Sequence, residues 1–351
     1  MSKKMETKQT FPESSEQSLK LRSSACAENA LIRKDSSVSR IAWAGLMVGD
    51  ALGAQVEFCH EYEIRRAYPQ GVDKMRAGFG VCIDRQAGEV TDDTQMAYCL
   101  HLALQDAGGW DSAAALRRYL EWYATDPPDA GEAESSALEG SPLPNSQGNG
   151  ALMRVMPIAL WAAAHPGFDW QTAAREDAAI THPHPVCGEA NVVYVHALLQ
   201  AMQPGATPRG VYDSTLAFAE EQGLSAQVLE SLRCAATERP DYDGEFIGWV
   251  LVALHSAFYQ LLHAADFRCA LVDIVSSGGD ADTNAAIAGP LLALLFGVES
   301  IPRPWLVAVR AVNERCYTRL LPKRLRFPLS WSMVIVMHYC RVWPGKKKMA
   351  V

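Results

Sequence analysis

Basic residues are in the minority in this chain: 32 lysines and arginines stand against 40 aspartates and glutamates, a formal net charge of −8 over 351 residues. A general nucleic-acid surface carries the opposite excess, so that class of partner is not expected. Cysteine follows no pairing pattern. Its nine copies, at Cys26, Cys59, Cys82, Cys99, Cys187, Cys234, Cys269, Cys316 and Cys340, include no C-x-x-C pair. Scattering of this kind reads as reduced thiols in a cytoplasmic protein, not as a disulfide framework. Long apolar runs are missing as well. The stretch from Trp331 to Cys340 is too short to span a bilayer and contains His338, so no membrane partner is expected. The first 30 residues are polar and show no signal peptide. No repeat has a fixed period, and no long segment alternates β-branched residues.

What is present is the texture of helices. Hydrophobic residues make up 49% of the chain and charged ones 21%, enough for a sizeable core. From Ile41, small residues recur at close spacing through Gly45, Gly49 and Gly53, which lets a neighbouring helix approach tightly. Met96, Leu100 and Leu104 follow Thr91 as a single helical stripe. Stretches 113–123, 150–164, 171–180, 188–202, 244–263 and 285–296 repeat the same mixture of Ala, Leu and Val. A short extended piece at Val81–Ile83 is the marginal exception. The expected fold class is all-α, a single orthogonal helical bundle domain over residues 39–321. Residues 1–38, rich in Ser, Glu, Lys and Gln, read as a flexible or partner-binding arm. Residues 322–351 form a separate extension, with Lys323, Arg324, Arg326 and Lys346–Lys348 around an apolar segment.

Chemistry gathers at two helix starts. Thr91-Asp92-Asp93-Thr94 precedes one apolar helix and Gly278-Gly279-Asp280-Ala281-Asp282-Thr283 opens another. Taken singly, each is also how an ordinary capped helix begins, with acids complementing the macrodipole. If the two starts meet in space, their carboxylates require a counter-charge. Oxygen-only ligands suit magnesium, calcium or manganese better than zinc. A pair of such ions about 4 Å apart would supply that charge and activate a water. Gly148-Asn149-Gly150 reads as a glycine-rich turn into a helix, whose free amides can face a diphosphate. His182 lies in Thr-His-Pro-His-Pro, an extended loop. Pro127-Pro128-Asp129-Ala130-Gly131 is a good turn in its own right.

Together these segments resemble one known family. G-D-A-L-G-x-x-x-E from Gly49 to Glu57, T-D-D-T at 91–94, G-N-G-A-L-M-R from Gly148 to Arg154, T-H at Thr181-His182 and G-G-D-A-D-T-N at 278–284 occur in the order of the ADP-ribosylglycohydrolases. The similarity is to the dinitrogenase-reductase-activating, arginine-specific branch, over roughly residues 40–305. It implies an all-α domain with a dinuclear magnesium centre, two Mg2+ per subunit, with Mn2+ as the other choice. It assigns Thr91, Asp92, Asp93, Asp280, Asp282 and Thr283 as metal ligands. Glu57 and Asp129 become catalytic acids, and Gly148, Asn149, Gly150 and His182 contacts to ADP-ribose. The implied reaction removes ADP-ribose from modified arginine of a target protein. Small ADP-ribose derivatives or Ser/Thr linkages are the alternative substrates. Some family members are immunity proteins whose amino-terminal extension blocks a cognate ADP-ribosyltransferase toxin, and residues 1–38 resemble such an arm; a purely toxin-binding role is the remaining alternative. After Asp129 the sequence departs from the branch: Glu132-Ala-Glu-Ser-Ser replaces an arginine-rich continuation, which bears on substrate recognition.

Overall fold

A ridge of glycines sets the centre of the fold. It lies on α1, residues 37–53, in a computed structural model that describes residues 37–80 and 84–320, with backbone alone for 313–320. Gly45, Gly49 and Gly53 share one face of this helix. A Cβ at Gly45 would collide with the Gly289 carbonyl, at Gly49 with that of Ala285, and at Gly53 with the backbone of Asp282. The partners lie on α14 (Ala281–Phe296) in descending order, so the two helices run antiparallel with their backbones touching. Helix separation is set by the side chains at the contact, and here there are almost none.

Helix α14 is buried from Ala281 through Ala293 and apolar on nearly every side beyond its first turn. That is the signature of a helix in the middle of a bundle. Its neighbours include α3 (Asp92–Ala107), α9 (Pro185–Ala201), α12 (Val250–His263) and α13 (Phe267–Ser276). Pro290 within α14 cannot donate to Ala286 and loosens the ladder there. The Tyr194 hydroxyl, on α9, donates to the adjacent Ile287 carbonyl. The remaining elements wrap this centre: α2 (Glu61–Ala67), α4 (Ser112–Tyr123), α5 (Glu132–Leu138), α6 (Gly150–Arg154), α7 (Met156–Ala164), α8 (Trp170–Thr181), α10 (Pro208–Glu221), α11 (Ala226–Cys234), a 3-10 turn at Val298–Ser300, and α15 (Arg303–Leu320). Among the described residues there is no strand, only isolated bridges at His60–Gly278 and Gly148–Trp249. The fold is all-α, and no described helix is long and apolar enough to cross a membrane.

The Met96, Leu100 and Leu104 stripe is buried as its spacing requires. Two helical stretches differ from expectation. Residues 150–164 form two helices, α6 and α7, broken at Val155. Pro157 has no N–H for the Met153 carbonyl and its ring crowds that oxygen. Residues 244–249 form a loop, and α12 starts only at Val250. The loop is diverted to the glycine turn before α6: Asn149 N–H donates to Gly248 O at 3.0 Å, and Val250 N–H to Gln147 O at 2.9 Å. The extended piece read at 81–83, the arm up to residue 36 and the extension from 321 lie outside the described residues.

Candidate active site and metal centre

The start of α3 is held by a carboxylate from another helix. Asp50, buried on α1, accepts the Thr91 amide at 2.9 Å and the Thr94 amide at 3.2 Å. It also accepts the Thr94 hydroxyl at 2.5 Å. The open amides of this helix start are thus capped across helices, since Thr91 as N-cap supplies no cap of its own. The Thr91 hydroxyl stands 3.1 Å from Asp50 Oδ1 and 2.9 Å from Asp93 Oδ2, and its single proton serves one of them at a time. Burial lifts the Asp50 carboxyl to about 6 against the pull of these donors. The other Asp93 oxygen, Oδ1, is buried with no hydrogen-bond partner.

The second start is built on glycine. Gly278 and Gly279 have φ of +77° and +66°, and a Cβ at Gly279 would collide with the Tyr242 carbonyl. Only glycine meets both demands. The turn also locks Glu57 in place: Phe58 N–H donates to Gly279 O at 2.8 Å, and Gly279 N–H to Cys59 O at 3.1 Å. Asp280, at the cap of α14, accepts from Asn149 Nδ2 at 2.7 Å. Asp282 follows in the first turn, packed against Gly53. Oxygens of Glu57, Asp129 and Asp282 all lie within 4.8 Å of one another.

The two helix starts lie within electrostatic reach of each other: Asp93 acts on Asp282, and Asp280 acts on Asp93. Burial first, then Asp129 and Asp280, push the Glu57 carboxyl up to about 8. Asp282 is driven well above the usual carboxylate range by burial and then by Glu57 and Asp93. Asp92 and Asp93 are driven the same way, Asp92 by burial and Asp129, Asp93 by burial and Asp50. Like charges this close demand protons or cations. One internal cation is in reach: Arg85 forms an ion pair with Asp129 and stands 4.0 Å from Glu57 Oε2. A single guanidinium is outnumbered here. All-oxygen donors and an unpartnered Asp93 oxygen fit a hard divalent ion.

Beside this centre lies a second buried polar group. His182 is buried, with Nδ1 2.9 Å from the Thr181 hydroxyl and Nε2 3.6 Å from Glu134 Oε1. Burial lowers the His182 pKa, favouring the neutral ring. A Cβ at Gly148 would stand 3.0 Å from His182 Nε2, and one at Gly150 would collide with the Glu134 carboxylate. His182 thus packs against the Gly148–Gly150 turn. Asn149 connects this turn to Asp280. His184 instead caps α9, accepting the Val186 amide at 3.3 Å. Arg154, at the end of the same motif, is pinned inside the protein: Nε donates to Asp177 Oδ2 at 3.1 Å beneath the Tyr119 ring.

Three residues of the site were not singled out from sequence. Asp50 was inside the first motif, but a lone aspartate in a helix carries no label of its own. Arg85 sits in an aperiodic loop and meets Asp129 only through folding. Glu134 was visible merely as part of an unexpected segment.

The chain is similar to known proteins over most of its length. The family model "ADP-ribosylglycohydrolase" matches residues 34–327. The chain is 31% identical over 290 residues to the ADP-ribosyl-[dinitrogen reductase] glycohydrolase of Rhodospirillum rubrum, covering 78% of this chain and 90% of that protein. It is 25% identical over 282 residues to the ADP-ribosylarginine hydrolase Tri1 of Serratia proteamaculans, covering 76% and 73% respectively. Among solved structures, an "ADP-ribosylglycohydrolase-related protein complex" matches with a TM-score of 0.66 at 30% identity, over 79% of this chain and 93% of that one. The chain belongs to the ADP-ribosylglycohydrolase family, and it is a glycosyl hydrolase that removes ADP-ribose.

Proposed function

We propose that this enzyme hydrolyses the bond between ADP-ribose and an arginine side chain of a modified protein, with a divalent-metal centre at the junction of α1, α3 and α14. The observation that carries the reading is the meeting of Glu57, Asp129 and Asp282 within 4.8 Å, and the buried Asp93 oxygen with no hydrogen-bond partner supports it. Thr91, Asp92, Asp93, Asp280, Asp282 and Thr283 would hold magnesium or manganese. When bound, such ions supply positive charge for the ribose hydroxyls and for a water.

The residues divide the remaining work. Hydrolysis adds a water oxygen to C1″, breaks the C1″–nitrogen bond and moves one proton from that water to the departing guanidine. Asp129 and Glu57 would take and return that proton. Positive charge gathering at C1″ as the bond breaks faces an acidic wall. Gly148, Asn149, Gly150 and His182 line the side on which the ADP portion would lie. His182, buried and with its neutral ring favoured, backs the Gly148–Gly150 turn.

Two relatives act, by name, on dinitrogen reductase and on ADP-ribosylarginine, which supports arginine over other linkages. The test is a pair of peptides carrying ADP-ribose on arginine or on serine. Cleavage of the arginine-linked peptide at least about tenfold faster supports the proposal, and preference for serine contradicts it. Residues 1–38 as a toxin-blocking arm remain a proposal resting on resemblance. Deleting them should abolish toxin binding and spare hydrolysis, and unchanged toxin binding would refute the arm.

A further inference from the structure

The acidic centre already holds a guanidinium of the protein's own. Arg85 ion-pairs with Asp129, lies 4.0 Å from Glu57 Oε2, and keeps only 16% of its side chain exposed. Its charge also acts on Asp282 and Asp50. The Arg85 carbonyl is tied to the neighbouring loop. Gly78 N–H donates to the Arg85 carbonyl at 2.8 Å, and Phe79 N–H to Gln55 O at 2.7 Å. Arg76 N–H donates to Gln55 Oε1 at 3.1 Å. Gln55 stands two residues before Glu57, so the loop and the catalytic acid share one anchor. The side chain, by contrast, is long and jointed and can withdraw while its backbone stays.

A guanidinium is planar, permanently charged and forked, and a carboxylate pair is its natural partner. The departing group in the proposed reaction is also a guanidine, and Asp129 and Glu57 are the acids assigned to it. Two guanidinium groups cannot occupy that place together, because neither loses its charge. We propose that Arg85 is an internal occupant of the guanidinium position of the active site, and that an arginine-linked substrate must displace it. This inference rests on the arginine reading given above. Arg85 then makes the site harder to enter for free guanidinium compounds, while a substrate also held through its ADP-ribose has the binding energy to push it aside.

The test uses agmatine, a small guanidinium amine, as the probe, with the full-length protein in magnesium-containing buffer. Arg85→Met keeps the apolar stem and removes the competitor. By calorimetry it should bind agmatine at least about tenfold more tightly than wild type, the effect of losing one charge-assisted contact. Adding Asp129→Asn in that background should abolish the gain. Equal agmatine affinity in wild type and Arg85→Met overturns the proposal. Should Arg85→Met fail to fold, wild type still decides the matter by NMR of the Arg85 Nε–H. Saturating agmatine should shift that resonance towards a solvent-exposed arginine, and an unmoved resonance overturns the proposal. Hydrolysis of arginine-linked ADP-ribose is measured alongside. If hydrolysis proceeds while agmatine affinity is unchanged, only the Arg85 assignment fails; if arginine-linked substrate is not cleaved by either protein, the proposed function fails.

Discussion

Asp50 holds the amide of Thr91 at 2.9 Å, and through that bond α1 sets the position of α3. The same helix touches α14 through its glycines, so one element aligns both acidic helix starts. Both acidic starts thus take their positions from α1.

Replacing Asp50 with Ala leaves the amides of Thr91 and Thr94 without their acceptor inside the protein. Each bare buried donor costs roughly 1–3 kcal/mol, so we expect a loss on the order of 3 kcal/mol in denaturant unfolding. Activity should fall further than stability, because Asp92 and Asp93 lose their footing. A variant with wild-type turnover would show that α3 holds itself.

Gly49→Ala tests the other contact. Its Cβ has no room beside the Ala285 carbonyl, and neither backbone is a flexible chain end that can yield. Overpacking of this kind costs about 1–3 kcal/mol, and the shift of α14 should carry Asp282 with it. Thermal melting and turnover should fall together. Unchanged melting would mean that the helices can separate freely.

The buried pair of Arg154 and Asp177 is predicted to matter for stability alone. Asp177→Ala strands a guanidinium that is fully buried, which costs about 3–5 kcal/mol. The effect should appear in unfolding at magnesium saturation, with KM for the surviving folded enzyme near that of wild type. A large KM change with normal stability would instead place Arg154 in substrate binding.

Glu57, raised to about 8 from an ordinary 4.5, makes the metal-free protein sensitive to pH. Above 4.5 the unfolded chain gives up this proton while the folded chain keeps it, so the folded state binds more protons and stability falls as pH rises. His182 titrates with the opposite effect below its ordinary 6.5, where protonation favours unfolding. The window from 6.5 to 8 therefore isolates the carboxylates. With EDTA present, the melting temperature should decline across it, and magnesium should flatten the slope. A rise in melting temperature over that window in EDTA would contradict the burial of the acids.

Much of this architecture was legible in the chain. The stripe of Met96, Leu100 and Leu104 and the close-set glycines of α1 mark helices and a tightly packed face, because that periodicity belongs to the helix itself. The acidic starts were legible as starts, since Thr91 and Asp280 sit where caps belong. What spacing could not show was their convergence, which depends on Gly53 meeting Asp282 across more than two hundred intervening residues. Asp50, Arg85 and Glu134 stayed hidden for the same reason: each acts on a group far away in sequence. The break at Val155 was readable from Pro157. The loop at 244–249 was not, because its diversion is made by hydrogen bonds to residues 147–149.

The most direct measurement is release of ADP-ribose from an arginine-ADP-ribosylated protein, comparing wild type in magnesium, wild type in EDTA, and Asp282→Ala in magnesium. The account predicts release by wild type in magnesium, and loss of at least about two orders of magnitude in both other arms. Release at the wild-type rate by Asp282→Ala, or undiminished release in EDTA, would contradict a metal centre built on the two helix starts.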